Sequence, residues 1–171
     1  MSDKKEFKNE FSWSFSRHSA FNTCKRKYYY SYYGSWGGWE KDADELSKKL
    51  YMLNKMTSLP MLAGSIVHDE VERTLKALRY GRNADQKRSK EIVIKNFKNS
   101  WAQSKNKDWE KSPKWKTNLF EHYYDKKPTD EELLGFRDLM LNSIDGFFAS
   151  DSYRFIPVSY THLTLPTKRI V

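Results

Sequence analysis

Apolar residues recur at helical spacing along most of the chain, and strand-like alternation is confined to its last part. Phe21, Cys24, Tyr28 and Tyr32 fall on one stripe of a helix. Ser16 is its candidate N-cap, with Phe15 just before it, and Gly34, Gly37 and Gly38 end the helix and open a turn. Leu46, Leu50 and Leu53 mark a second helix that stops before Pro60. A third is expected over residues 61–80, with Val67, Val71, Leu75 and Leu78 as its apolar stripe and Gly81 as its stop. A fourth covers residues 84–104. Residues 106–127 are rich in tryptophan and lysine without a clear period, and read as loop with one short helix.

The strongest local signal follows. Pro128-Thr129-Asp130-Glu131-Glu132 gives a threonine cap, an acidic first turn and a glutamate at the third helical position, which together form a capping box. Leu133, Phe136, Met140, Ile144 and Phe147 continue on one face. Residues 152–158 then turn β-like, with Tyr153, Phe155 and Val158 as the apolar positions. From Val158 onward the character changes. The run Val158-Ser159-Tyr160-Thr161-His162-Leu163-Thr164-Leu165-Pro166-Thr167 has no acidic residue and an excess of threonine. It resembles the conceptual translation of a transposon-end adapter used to prepare sequencing libraries. Residues 158–171 are therefore expected to be a non-native tail, and residues 1–157 the native part. The competing reading is a genuine edge strand, because Tyr160, His162 and Thr164 alternate with Thr161, Leu163 and Leu165.

Composition narrows the classes. With 38% hydrophobic and 31% charged residues the chain is polar, but 16% aromatics can supply a core, since each ring buries a large area. The 171 residues make one ordinary domain or a piece of a larger one. No stretch approaches the roughly 20 apolar residues of a bilayer span, and Met1-Ser2-Asp3-Lys4-Lys5 leads into no apolar segment of a secretory signal. One cysteine excludes an internal disulfide framework and favours a cytoplasmic location without a membrane partner. The net charge of +9 suits a phosphate backbone, though it equally suits a solvated lysine-rich surface.

The residues that carry candidate chemistry are Gly64-Ser65-Ile66-Val67-His68. On a helix Gly64 and His68 lie one turn apart on the same face, and side chains lean toward the helix start, so the imidazole of His68 lies over position 64. Glycine there leaves room beside the ring for a metal ion, a water or a nucleic-acid strand. It costs about 1 kcal/mol against alanine in a helix interior. Glu72, one further turn along, is placed to orient the other imidazole nitrogen. By itself this signal is weak, because a histidine on a helix is more often structural or merely exposed. Upstream stand Phe11-Ser12-Trp13-Ser14-Phe15-Ser16-Arg17, then Phe21-x-x-Cys24, then Tyr28-Tyr29-Tyr30. In order and approximate spacing, over residues 11–80, these elements resemble the opening of RecB-type nucleases of the PD-(D/E)XK superfamily.

That resemblance implies a mainly helical amino-terminal part of an α/β restriction-endonuclease-like fold whose central sheet is largely missing here. The implied parent is a Mg- or Mn-dependent deoxyribonuclease of repair, recombination, phage replication or defence, with DNA as substrate and a helicase as a candidate partner. His68 carries over as a metal ligand and Gly64 as the motif glycine. The family's strand-end aspartate and Glu-x-Lys have no match after the last capped helix, so the chain as it stands is expected to be inactive. Some relatives bind an iron–sulfur cluster through a cysteine near this position, which makes Cys24 a candidate ligand. A cluster needs about four thiolates, and on its own Cys24 reads as a small buried hydrophobe on the apolar stripe. Arg17, Lys25, Arg26, Trp36 and Trp39 are candidate nucleic-acid contacts, since rings beside cations suit stacking on single-stranded bases. Tyr28 and Tyr32 read instead as packing residues. The competing class is a non-catalytic, basic helical nucleic-acid-binding module, and a third is a plain interaction domain.

Overall fold

The computed structural model describes residues 9–155. The adapter-like tail and the end of the expected β-segment lie outside the described residues. The rest is mainly α, as the periodicity expects, and the strands among the described residues are two residues long: β1 (Met56–Thr57) and β2 (Asn118–Leu119), paired as one small sheet. No helix among the described residues is long and apolar enough to cross a membrane. The fold divides into two compact units, one of residues 9–56 and 110–115, the other of residues 57–109 and 116–155.

In the first unit the expected single helix is two. α1 (Phe15–Thr23) is capped by Ser14, whose hydroxyl accepts from the Arg17 N–H at 3.2 Å, so Ser14 rather than Ser16 starts it. Cys24 takes an extended conformation (φ −164°, ψ 110°) and breaks the helix. Its thiol then caps α2 (Lys25–Tyr29), with Sγ accepting from the Lys27 N–H at 3.4 Å. Cys24 is thus exposed, not a core residue. A π-helical turn over Tyr30–Gly34 follows. The break does not disperse the aromatic stripe, because the Tyr28 ring meets Phe21 at 5.4 Å and Tyr32 at 5.1 Å. Asp44 caps α3 (Glu45–Asn54), and the Asn54 amide donates to the Ser31 carbonyl at 2.9 Å and to the Ser35 hydroxyl at 2.7 Å.

The second unit is built on α4 (Leu59–Arg79), α5 (Gln86–Lys105) and α7 (Asp130–Ala149), which pack on one another. Leu59, Leu62, Ala63 and Ile66 of α4 meet Val93 of α5, Leu119 of β2 and Met140 and Ile144 of α7 in one apolar cluster. Each fully buried aliphatic side chain contributes about 1.5–3 kcal/mol of hydrophobic stabilisation. The buried row of α4 continues through Glu70 and Thr74, and Val67 and Val71 are only partly buried at its border. The core face is therefore turned by about one residue from the stripe Val67, Val71, Leu75 and Leu78 that composition suggests, because two of its members are polar.

Helix ends are satisfied in contrasting ways. The capping box of α7 forms as expected, with Thr129 accepting from the Glu132 N–H at 3.1 Å and Glu132 accepting from the Thr129 N–H at 2.8 Å. The Ser58 side chain makes no cap bond for α4. Instead the Glu121 carboxylate, from the short α6 (Phe120–Tyr123), accepts from the Leu59 N–H at 3.0 Å. A carboxylate there also opposes the positive end of the helix dipole. Residues 151–155 are helical where alternation predicts a strand. Ser150 accepts from the Tyr153 N–H at 3.2 Å, and the Tyr153 ring packs on Phe148 at 4.8 Å, which favours a new helical turn.

His122 of α6 fastens this region to α5. Its Nδ1 lies 2.8 Å from the buried Ser104 hydroxyl, which also accepts from the Leu119 N–H at 2.9 Å, and its ring meets Trp101 edge to face at 4.3 Å. Burial lowers its pKa below the ordinary 6.5; the Lys105 charge adds to this and the Glu121 charge opposes it. A depressed histidine pKa means that the unfolded chain binds the extra proton first. Stability from His122 is therefore present above the unfolded pKa of about 6.5 and is lost as pH falls below it. The urea midpoint is expected to drop between pH 7.5 and 5.5, and His122→Asn should flatten that drop. A further loss is expected in the acid range, where Asp145, held low by Lys90, and Glu72, held low by Lys76, must protonate. A midpoint that is level from pH 7.5 to 5.5 in the unsubstituted chain would contradict the assignment.

Candidate functional site

The packing of α4 decides which of its residues face outward. With Leu59, Leu62, Ala63, Ile66, Glu70 and Thr74 turned into the core, Gly64, His68 and Glu72 fall on the exposed side at successive turns. An added Cβ at Gly64 meets nothing within 4 Å, so the space over which the imidazole leans is open. No side chain among the described residues hydrogen-bonds the His68 ring. Glu72 is engaged elsewhere: its carboxylate pairs with Lys76 at 2.5 Å, and this bond, then the Lys76 charge, lowers its pKa, with the His68 charge a lesser cause. The orientation of His68 by Glu72 is thus not what this arrangement displays.

The metal fit follows from the donor set. Hard divalent cations take six or more oxygen ligands in Ca²⁺ sites and near-octahedral oxygen shells in Mg²⁺ sites. Among the described residues no three His, Cys, Asp or Glu side chains gather as a metal-binding group. His68 offers one nitrogen, and the nearest carboxylate along its face is committed to a lysine. The described residues do not by themselves make a site for such an ion.

Sequence reasoning passed over Glu70, two residues beyond His68. It is 2% exposed, and its carboxylate accepts from Arg73 Nε at 2.7 Å and from the other arm of the same guanidinium. This hydrogen bond is the first cause raising the Arg73 pKa, with burial opposing it. In Asp69-Glu70-Val71-Glu72 nothing local separates a buried carboxylate from an exposed one, so only the phase of the core face could have found it.

The remaining candidates lie in the first unit. Arg17 is occupied structurally: its guanidinium donates to the Ser12 carbonyl at 3.1 Å and lies 4.5 Å over the Tyr32 ring. Lys25 sits 5.6 Å over Phe21, and Arg26 is exposed. Trp36 and Trp39 meet edge to face at 5.0 Å, and Trp39 meets Tyr51 at 5.7 Å.

A profile of the PD-(D/E)XK nuclease superfamily matches residues 12–146, most of the chain. No curated protein and no solved structure matches it. The match spans the serine, cysteine and tyrosine elements of the first unit as well as the glycine and histidine of α4.

Because nothing opposes a Cβ at position 64, Gly64→Ala is expected to stabilise the chain by about 0.5–1 kcal/mol through helix propensity alone. Urea unfolding checks this, and a destabilised variant would mean that position 64 needs glycine for a structural reason.

Proposed function

The chain belongs to the PD-(D/E)XK nuclease superfamily, and from that premise we propose that it is the amino-terminal, helical part of a RecB-type, metal-dependent deoxyribonuclease. The observation that carries this reading is the exposure of His68 beside open space at Gly64, on a long helix whose opposite face is locked in a core. A histidine that no side chain among the described residues hydrogen-bonds, in a motif inside the matched region, is available to a ligand. In the intact parent His68 would supply one metal ligand to Mg or Mn. The acidic ligands and lysine would come from a strand pair following residue 157. Residues 158–171 would then be the adapter-like tail, and the chain itself would not cleave DNA.

Cys24 belongs to the same reading as a candidate first thiolate of an iron–sulfur cluster in the parent, and its exposure leaves the sulfur accessible. A helicase would be the parent's partner, and repair, recombination, phage replication or defence its setting. The second reading, a basic nucleic-acid-binding module without catalysis, draws on the net charge of +9 and on the incomplete donor set of the described residues.

The complete reading frame separates the two, since only a nuclease needs a downstream aspartate and Glu-x-Lys. In protein from that frame, His68→Ala is expected to lower Mg- or Mn-dependent DNA cleavage by about 100-fold or more while changing DNA affinity little. Undiminished cleavage by the variant would remove His68 from the metal, and a frame without the acidic motif would favour the binding module.

A further inference from the structure

The first unit contains a cleft whose chemistry the superfamily match does not explain. It has a volume of about 580 Å³ and lies between the turn that follows the π-helical segment, α3 and the segment 111–115, all within that unit. Trp36, Trp39, Tyr51 and Trp115 supply its rings, and Lys55, Lys111 and Lys114 its charges. Among the described residues no carboxylate lines it.

The cleft is held in shape by the backbone. Gly37 adopts φ +76°, which favours glycine, and Gly38 lies so close to α3 that an added Cβ would meet the Ser47 carbonyl oxygen at 2.3 Å and the Tyr51 Cβ at 2.6 Å. This approach brings the Trp39 ring against Tyr51 and leaves Trp36 to brace Trp39 from the side. The rings nevertheless remain open to solvent: Trp36 is 39% exposed, Trp39 43% and Trp115 76%. Three partly open indoles in one cleft are unusual where burial of each would be favourable. Lys55 sits 5.3 Å over the Tyr51 ring and Lys114 4.8 Å over the Trp115 ring, so the cations stand beside the rings rather than away from them.

We infer that this cleft binds single-stranded nucleic acid, stacking unpaired bases on Trp36, Trp39 and Trp115 while Lys55, Lys111 and Lys114 take the backbone phosphates. Three alternative ligand classes each fail on one of these features. A cationic ligand of the kind that aromatic cages hold would face three lysines without a counter-charge. An uncharged apolar ligand would have to desolvate those lysines. A duplex keeps its base faces stacked on one another, so it offers phosphates but nothing for the indoles. An unpaired strand offers both an anionic backbone and π-faces, which is the pairing that sequence-tolerant single-strand binders use. The inference rests on the nuclease reading only in choosing a nucleic acid over an acidic polypeptide.

The test uses the whole chain in EDTA, with a fluorescein-labelled oligo-dT followed by anisotropy, and a labelled duplex and poly-glutamate for comparison. Trp115→Ala removes the most exposed ring and spares the Trp39–Tyr51 packing, so circular dichroism should be unchanged. It is expected to weaken oligo-dT binding about tenfold or more, since one base–aromatic stack is worth about 1–3 kcal/mol, and duplex binding less than about threefold. Lys114→Gln should reduce the salt slope of log Kd by about 0.7, the value of one released counterion on a single strand. Unchanged oligo-dT affinity in both variants, equal losses for duplex and single strand, or poly-glutamate binding as tight as oligo-dT would each overturn the inference. The two readings fail separately. If His68→Ala abolishes cleavage in the complete protein while Trp115→Ala leaves oligo-dT binding intact, the cleft is wrong and the nuclease stands. If Trp115→Ala abolishes that binding while His68→Ala still cleaves, the metal role is wrong and the cleft stands.

Discussion

The orientation of α4 depends on one constraint: its row from Leu59 through Ile66 must leave water against Val93, Met140 and Ile144. A rigid helix has a single rotational degree of freedom about its axis, and burying that row uses it up. Gly64 and His68 then have no choice but to face outward. The candidate chemistry is therefore positioned by residues that take no part in it. The same constraint draws Glu70 inward, where only a guanidinium reaching from the next turn makes its burial tolerable. Breaking such a pair by removing one partner is far more costly than the pair is stabilising.

Adjacent carboxylates of one short run thus meet different fates. Glu70 is desolvated and held by Arg73, whereas Glu72, two residues on, stays in water with Lys76. The distinction comes from about 200° of helical rotation, not from composition. It also explains why an exposed imidazole can sit among acids without being claimed by one of them. Each neighbouring carboxylate for which a bond is formed already has a cation of its own on α4.

Much of the architecture was legible in the residues. The capping box at Thr129 named the start of α7, the breaks at Gly81 and Pro128 bounded helices, and the mainly α class followed from periodicity. Where the structure departs from the periodicity, the cause is shared: local pattern cannot see partners distant in the chain. The apolar stripe of α4 lies one residue from its buried row because Glu70 and Thr74 interrupt that row. The spacing of Cys24 matches Phe21 and Tyr28 and points to the core, while an extended backbone turns it out. The segment at Tyr153 alternates like a strand but takes a helical turn against Phe147 and Phe148. The aromatic cleft was half visible: Trp36 and Trp39 stood out, but nothing in the unpatterned stretch around Trp115 showed that it joins them.

The cap on α4 has a consequence for how the chain acquires its structure. Pro60 and the Leu62 N–H bond to the Ser58 carbonyl set the start of the motif helix locally, but the Leu59 N–H is satisfied by a carboxylate 62 residues away and stays with water until that segment folds back. During synthesis the body of α4 can coil as soon as it emerges, because its hydrogen bonds are local. The Glu121 cap on its amino-terminal end waits for a loop closure across α5. Until residue 121 arrives, the first turn lacks that bond and the charge opposing the helix dipole, and it frays more readily. The finished cap ahead of the exposed motif is in this sense a late event in the life of the polypeptide, supplied by a segment with no resemblance to any motif of its own.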